Sequence, residues 1–458
     1  MEDYILIKTL TFSLVSLILY SVGRVVQVYW LRPKSLEKQL RQQGIRGRSY
    51  KLFQDDMKEI KMSSEEAWSK PMSLKHQIGP RKVSLGWFET RPRLIVAEPE
   101  LIKLILADKS GHMTKPPLNP LVNLLQLGVA TLEGDQWAKR RRLITPAFHL
   151  EKLKGMVPAF VTSCSGLINR WENLIGVQGS YEVDVAPEFQ NLAGDVIART
   201  AFGSSFEEGK KIFELQKKQA VLVLEAYYGF YFPGLRFIPT KKNKMRYNLD
   251  NEIKTILRGM ISRKEQAMEN GEVGSNDLLG LLLQCKEQEQ NGMTIEDLIE
   301  ECKLFYFDGQ ETTAHWLTWT MIVHASKLAR ESKRKSYTHT QKKTNTGGLS
   351  IPAGVEFMLL TLFLQYDPKY WGEQVEEFNP ERFAEGAAKA SKDEFAFYPF
   401  GWGPRICLGQ TFAVIEEAKM ALAMILQHFS FELSRSYIHA PIMGMTLRSP
   451  NYTSQNLR

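Results

Sequence analysis

Cysteine is scarce in this chain. Four occur among 458 residues, Cys164, Cys285, Cys302 and Cys407, and they are scattered. That excludes a disulfide-stapled scaffold, argues for a reducing compartment, and leaves no zinc-ligand spacing. There is no basic repeat with interleaved aromatics, so the net charge of +8 points to an anionic membrane or an acidic partner and not to nucleic acid. Pro/Gly/Ser linkers, internal repeats and composition breaks are also missing beyond the N-terminus, which favours one large domain. With 43% hydrophobic and 24% charged residues, the chain is not a disordered one. Apolar residues are nearly absent from residues 327–348, a Lys/Arg/Ser/Thr-rich stretch expected to be an exposed loop.

What is present begins at the N-terminus. Residues 4–23 are apolar apart from Lys8 and a few hydroxyls, enough for a spanning helix of about 20 residues. Glu2 and Asp3 precede it; Arg24, Arg32, Lys34, Lys38, Arg41, Arg46 and Arg48 follow. The positive-inside rule then puts the N-terminus outside and the bulk of the chain in the cytosol. A cleaved signal peptide is the rival, but its basic leading region is missing and no small-residue cleavage site is evident. Asn451 opens the sole glycosylation sequon, which would face the cytosol unused.

Downstream, helical periodicity dominates and strands are short, so the fold class is mainly α with minor β. Residues 93–97 read as a strand, and Pro99 opens a helix through Leu106. Residues 137–147 form a basic helix; 152–171, 189–202, 210–227 and 248–269 are helical stretches. Thr294 is an expected N-cap with Asp297 in the capping-box position, and helical period runs from there to about Ala325. Residues 350–357 form a tight turn between strands, and 411–429 a last amphipathic helix. The end of the chain, residues 449–458, carries no apolar strand pattern.

One decapeptide carries chemistry: Phe400-Gly401-Trp402-Gly403-Pro404-Arg405-Ile406-Cys407-Leu408-Gly409. It places a cysteine in a glycine-rich turn at a helix start, where backbone N–H groups and the positive helix end stabilise a thiolate. Gly401, Gly403 and Gly409 carry no Cβ and so let the backbone approach a flat ligand closely. Arg405 is always cationic and can clamp a carboxylate. These parts suit a haem iron with a cysteine axial ligand; the bland alternative is a glycine-rich turn around an inert, buried thiol.

The spacing Phe-x-x-Gly-x-Arg-x-Cys-x-Gly resembles the signature of the cytochrome P-450 monooxygenases, and the chain is similar to them along most of its length, most of all to the plant clan of 72A-type enzymes. Further likenesses are Phe378-Asn379-Pro380-Glu381-Arg382-Phe383, Trp137-Ala138-Lys139-Arg140-Arg141, Phe307-Asp308-Gly309-Gln310-Glu311-Thr312-Thr313, Pro146-Ala147-Phe148-His149-Leu150 and Ala201-Phe202-Gly203-Ser204-Ser205. The resemblance implies a b-type haem (heme b) with Cys407 as its iron ligand, and a cytochrome P-450 fold behind an N-terminal transmembrane helix. Residues 1–30 would be the anchor and 31–458 the haem-binding monooxygenase domain. It implies that Trp137, Arg141 and Arg405 hold haem propionates, that Phe400 and Gly409 shape the loop, and that Gly309, Glu311 and Thr312 sit over the iron, Thr312 bonding dioxygen and Glu311 relaying protons. Implied partners are O2, a lipophilic small molecule such as a terpenoid, and an NADPH-dependent flavoprotein reductase on the endoplasmic reticulum membrane, in plant secondary metabolism.

On the residues themselves, glycine inside a helix costs roughly 1 kcal/mol relative to alanine, and a threonine hydroxyl can bond back to a carbonyl one turn earlier. Together these would open a notch in the helix around Gly309. Asp308 stands where the family has a small residue, and a carboxylate is costly to bury unpaired. His315 is expected to be a satisfied core residue. Lys139, Arg140 and Arg142 read as an outward basic face that could meet an acidic electron donor.

One family part is missing. A Glu-x-x-Arg helix should lie between the oxygen helix and the haem loop and pair with the arginine matching Arg382. Only 35 residues separate Thr313 from Leu349, so the fold is expected to be locally truncated. Glu331 with Arg334, and Glu432 with Arg435, satisfy the pattern, the first expected as a surface pair. Residues between Pro80 and Trp87 are also fewer than in relatives. Two other readings stay open: a degenerate non-catalytic relative or incomplete gene model, and a membrane-tethered lipid-binding protein without metal.

Overall fold

The unbroken apolar run at the N-terminus forms α1 (Glu2–Val26), continued by a π turn (Gln27–Leu31) and α2 (Arg32–Gln42) in a computed structural model. That model describes residues 2–52, 83–117, 119–125, 127–203, 206–228, 234–271, 277–288, 293–326, 336–365, 367–376, 379–413, 419–435, 437, 442–443, 447–448 and 454–457. The π turn has a local cause. Pro33 has no N–H to give the Tyr29 carbonyl, and the Tyr50 hydroxyl takes that carbonyl instead at 2.5 Å. The helix is long and apolar enough to cross a membrane, and none of its apolar window is buried.

The described chain falls into two compact units. The first comprises Met1–Pro116, Lys335–Trp371 and Ala387–Arg405; the second comprises Pro117–Arg334, Gly372–Gly386 and Ile406–Arg458.

The first unit holds a five-stranded sheet. Its strands are β1 (Val83–Phe88), β2 (Arg91–Val96), β3 (Met113–Thr114), β4 (Ser336–Thr340) and β5 (Glu356–Leu359), in the order β1-β2-β5-β4-β3. β2 pairs parallel with β5, Leu94 opposite Phe357; the other ladders are antiparallel. Between β2 and β3 runs α3 (Pro99–Leu106), with proline at its first turn as expected. The wholly buried carboxylate of Glu356 is flanked by two arginines of β2, Arg91 at 2.5 Å and Arg93 at 2.6 Å. A buried acid is tolerable only when paired in this way.

Two sequence expectations fail here. Within 327–348, residues 336–340 are not loop but an interior strand, and Thr344–Thr346 forms a hairpin with Leu349–Ile351. Hydropathy missed β4 because its buried positions are threonines whose hydroxyls are satisfied. Thr338 donates to the Thr114 carbonyl at 3.1 Å; Thr340 lies 2.8 Å from the Pro352 carbonyl and accepts from the Val355 N–H at 3.1 Å. The chain end also forms a strand after all. Ser454–Leu457 pairs with both Tyr181–Asp184 and Phe431–Leu433 in the second unit, since backbone ladders need no apolar side chains.

The second unit is helical. It contains α4 (Gly134–Ile144), α5 (Val157–Ile175), α6 (Val185–Phe202), α7 (Phe206–Tyr228), α8 (Lys241–Glu269), α9 (Ile295–Ser326) and α10 (Lys419–His428). The stretch 152–171, expected as one helix, is divided: Leu150–Lys154 stops at Gly155, and α5 restarts with Pro158 in its first turn. Trp171 is fully buried and meets Phe189, Phe429 and Phe431 edge-on or tilted.

The longest helix, α9, opens with the expected capping box. Thr294 Oγ1 accepts from the Asp297 N–H at 3.1 Å, and Asp297 accepts from the Thr294 N–H at 3.0 Å. α9 packs along α6 at Gly309, where a Cβ would sit 2.9 Å from Ile197 Cδ1. It also buries Lys303, whose ammonium lies 2.6 Å from Asp250 and 3.0 Å from Glu300; Lys254 bridges the same two carboxylates at 3.0 and 2.9 Å.

The polar strand gives a direct check. Thr340→Val keeps the shape of the side chain but leaves the Val355 N–H without its acceptor, which is expected to cost about 1–3 kcal/mol. Urea unfolding of the variant beside the wild type measures it; equal midpoints would show that the hydroxyl is dispensable.

Candidate functional site

The helix α4 brings Trp137 and Arg141 to one face, four residues apart. Trp137 is partly buried against the main core. Arg141 is half-buried; burial pushes its pKa down, and the nearby Cys407 sulfur, when charged, pushes it back up. The geometry thus brings Arg141 within electrostatic reach of Cys407. Its carbonyl accepts from the Thr145 hydroxyl at 2.6 Å, which closes the end of the helix.

The basic face of α4 is not wholly outward. Arg142 is exposed, but Arg140 turns inward, 2.6 Å from Asp297 and 2.8 Å from Glu301. Glu301 is fully buried and accepts from the Val129 N–H at 2.9 Å as well. Burial raises its carboxyl to about 7, while Val129 and Arg140 hold it down. Gly128 is required there, since a Cβ would come within 2.8 Å of Glu301 Oε2. Glu301 was not legible in the sequence, where Glu300, Glu301 and Lys303 all interrupt the apolar residues of 298–307.

Further along α9, Thr312 Oγ1 donates to the Asp308 carbonyl at 2.6 Å, the back-bond expected of it. Gly309 serves the approach of α6 to α9, so packing accounts for it without a ligand. Glu311 is buried, Asp308 half-buried. His315 Nδ1 lies 2.5 Å from the Glu311 carbonyl oxygen, so this nitrogen carries the proton and donates. The histidine is satisfied within its own helix.

The boundary between the two units falls between Arg405 and Ile406, so the decapeptide is described in two parts. In the first unit, Gly401 and Gly403 have φ of +78° and +70°, and a Cβ on Gly403 would lie 2.3 Å from the Leu106 carbonyl. Glycine is obligatory at both for backbone reasons alone. Pro399 and Gly401 form a bridge, Trp402 meets Phe395 and Tyr398 edge-on, and Gly403–Arg405 makes a 3-10 turn. Phe400 and Arg405 are both half-buried in this unit.

In the second unit, Cys407 is a free, half-exposed thiol, whereas Cys164 and Cys302 are buried. Burial and the neighbouring Glu301 push the Cys302 thiol far up, which makes it inert. Helix follows Cys407 at once, with the Ala413 N–H bonding the Gly409 carbonyl at 2.9 Å. Gly409 differs from its two partners. It has no positive φ, and a Cβ there would find its nearest side chain at 3.9 Å, Phe148. Neither backbone strain nor crowding explains this glycine, which leaves room beside the thiol.

Glu331 and Arg334 lie outside the described residues, as does Phe378. Glu432 sits in the strand Phe431–Leu433, opposite Asn456, and so belongs to no helix that could carry a Glu-x-x-Arg pair. Arg382 lies in the Asn379-capped turn Pro380–Phe383, is half-buried, and donates to the Gln374 carbonyl at 2.7 Å. Among the described residues it is paired with that carbonyl and not with a carboxylate.

Comparison with known proteins agrees with this geometry. The family model described as Cytochrome P450 matches residues 57–328 and 337–453. Cytochrome P450 CYP72A616 of Paris polyphylla is 46% identical over 93% of this chain and 93% of its own length. Cytochrome P450 CYP72A219 of Panax ginseng is 43% identical over 94% of each, and 7-deoxyloganic acid hydroxylase of Catharanthus roseus 41% identical over 96% of each. The alignment with the Paris protein runs 486 positions, more than all 458 residues here, so some of its residues have no counterpart in this chain. A retinoic acid-bound cyanobacterial CYP120A1 shares the fold, with a TM-score of 0.71 at 17% identity over 87% of this chain and 96% of that one. A half-exposed cysteine after the glycine turn, an arginine within its electrostatic reach and matches of this extent have one explanation: the chain belongs to the cytochrome P450 family.

Proposed function

We propose that this chain is a membrane-anchored haem-thiolate monooxygenase that inserts one oxygen atom from O2 into a lipophilic small molecule of terpenoid type. Electrons would come from an NADPH-dependent flavoprotein reductase on the same membrane. Residues 1–30 serve as the anchor, and 31–458 as the haem-binding part, on the cytosolic side of the endoplasmic reticulum. The observation that carries the reading is the half-exposed Cys407 thiol with Arg141 in electrostatic reach. Relatives named as 7-deoxyloganic acid hydroxylase and secologanin synthase support the substrate class.

The residues fit a b-type haem. Gly409 leaves space where a Cβ is otherwise tolerated, Cys407 is accessible, and Trp137 and Arg141 share one face for a propionate. Bound through a thiolate, such a group supplies O2 activation, the sulfur favouring O–O cleavage. Arg141 would neutralise carboxylate charge on the ligand, and Arg405 would serve the same ligand from the loop. Thr312 has its proton committed to the Asp308 carbonyl, so its oxygen offers lone pairs and holds a proton donor such as water in place. Glu311, buried one position before it, is the group that takes and returns protons.

A second reading, a non-catalytic or incompletely encoded relative, is favoured by the alignment positions without counterpart and by Arg382 pairing with a carbonyl. The genomic frame between the codons for Ala325 and Leu349 decides the second form: an exon there encoding the missing helix shows the encoded chain to be incomplete.

Two measurements test the main reading. Reduced, CO-treated wild-type protein should show the absorption band of a thiolate-ligated haem, and Cys407→Ser should abolish it; a wild type without that band removes Cys407 as the ligand. Full-length protein should pellet with membranes, while a chain lacking residues 2–26 should lose most of that association in a carbonate wash. Equal pelleting would show that α1 is not the anchor.

A further inference from the structure

Glu301 and Arg140 form a contact that the reading above does not use. Glu301 stands on α9, eleven residues before Thr312, which at 3.6 residues per turn puts both on nearly the same face, about 16 Å apart along the axis. Its carboxylate is fully buried. Oε1 accepts from Arg140 at 2.8 Å and from the Val129 N–H at 2.9 Å; Oε2 lies 3.1 Å from the same N–H. One turn earlier, Asp297 takes the same guanidinium at 2.6 Å, and Asp297 is itself fixed by the Thr294 capping box. The start of α9 is thus a rigid acidic clamp on Arg140.

Arg140 precedes Arg141. Successive helical side chains point about 100° apart, so clamping one fixes the direction of the next. Val129 adds a second hold on the segment that leads into α4. We propose that Glu301 is a positioning residue: through Arg140 and Val129 it sets the rotation of α4 that presents Arg141 to Cys407, and so governs haem retention. The surroundings are built for this one group. Gly128 leaves only the room that the carboxylate fills, and an acid without partners could not be buried there.

The proposal rests on the haem reading of Cys407, and the test separates the two. Hemin is titrated into detergent-solubilised, full-length apoprotein, following its absorption band, for the wild type, Glu301→Gln, Arg140→Met and the double variant. Melting temperature and far-UV circular dichroism are recorded for each. Losing a supporting partner of this kind typically weakens retention by about 10–100-fold. Glu301→Gln and Arg140→Met should each lose hemin affinity in that range with a shifted band, and the double variant should be no worse than either single one. Lys254→Met is the control, because it breaks an ion pair between α8 and α9 that does not touch α4. It should lower the melting temperature and leave hemin affinity unchanged.

If Glu301→Gln misfolds, Arg140→Lys, which keeps the charge but loses the two-carboxylate fork, stands in for it with a smaller expected loss. Variants that bind hemin as tightly as the wild type overturn the positioning role alone. So does a Lys254→Met chain that weakens hemin binding equally. A wild type that takes up no hemin overturns the haem reading and this proposal with it.

Discussion

A helix of 32 residues that buries Glu301, Lys303 and Glu311 along its length can form only if each charge finds its partner inside the protein. α9 meets that constraint differently at each point. Lys303 is balanced by Asp250 and Glu300, with Lys254 completing a four-membered ion network to α8. Glu301 is balanced by Arg140 of α4 and by a backbone N–H. These partners come from different elements, so satisfying the charges also fixes the neighbours of α9. Removing one member of such a pair strands a buried charge and typically costs about 3–5 kcal/mol. Within the second unit these pairs tie α9 to α4 and to α8.

Those partners were only partly legible in the sequence. Periodicity located α3, the start of α9 and its capping box, because each announces itself through local chemistry: Pro99, Thr294, Asp297. The buried ion pairs were not legible, since a charge in a helical run looks the same whether it faces water or an unseen arginine. Arg140 illustrates this. Its neighbours are basic and Arg142 is indeed exposed, so the whole run read as a solvated face. Only the position of Asp297 and Glu301, more than 150 residues downstream, turns it inward.

Hydropathy failed in a second, different way. β4 has no apolar side chain except Tyr337, yet Thr340 is fully buried in the five-stranded sheet. Threonine suits such a place: its branched carbon fits the pleat, and its hydroxyl settles polar atoms at a turn that the ladder leaves over. The terminal strand Ser454–Leu457 makes the same point with backbone bonds alone. Both sit where the sequence suggested loop or loss, and each is a paired strand of its own sheet.

The glycines of the decapeptide bear on what the shortened region costs. Gly401 and Gly403 are demanded by positive φ, and Gly403 also by the Leu106 carbonyl. That part of the loop is set by its own backbone and by α3, without help from a Glu-x-x-Arg helix. Gly409 is demanded by neither, since it has no positive φ and a Cβ there would find its nearest side chain at 3.9 Å. Arg382 meanwhile is paired, among the described residues, with the Gln374 carbonyl. Whatever this chain lacks relative to its family, the backbone geometry at Gly401 and Gly403 is set locally.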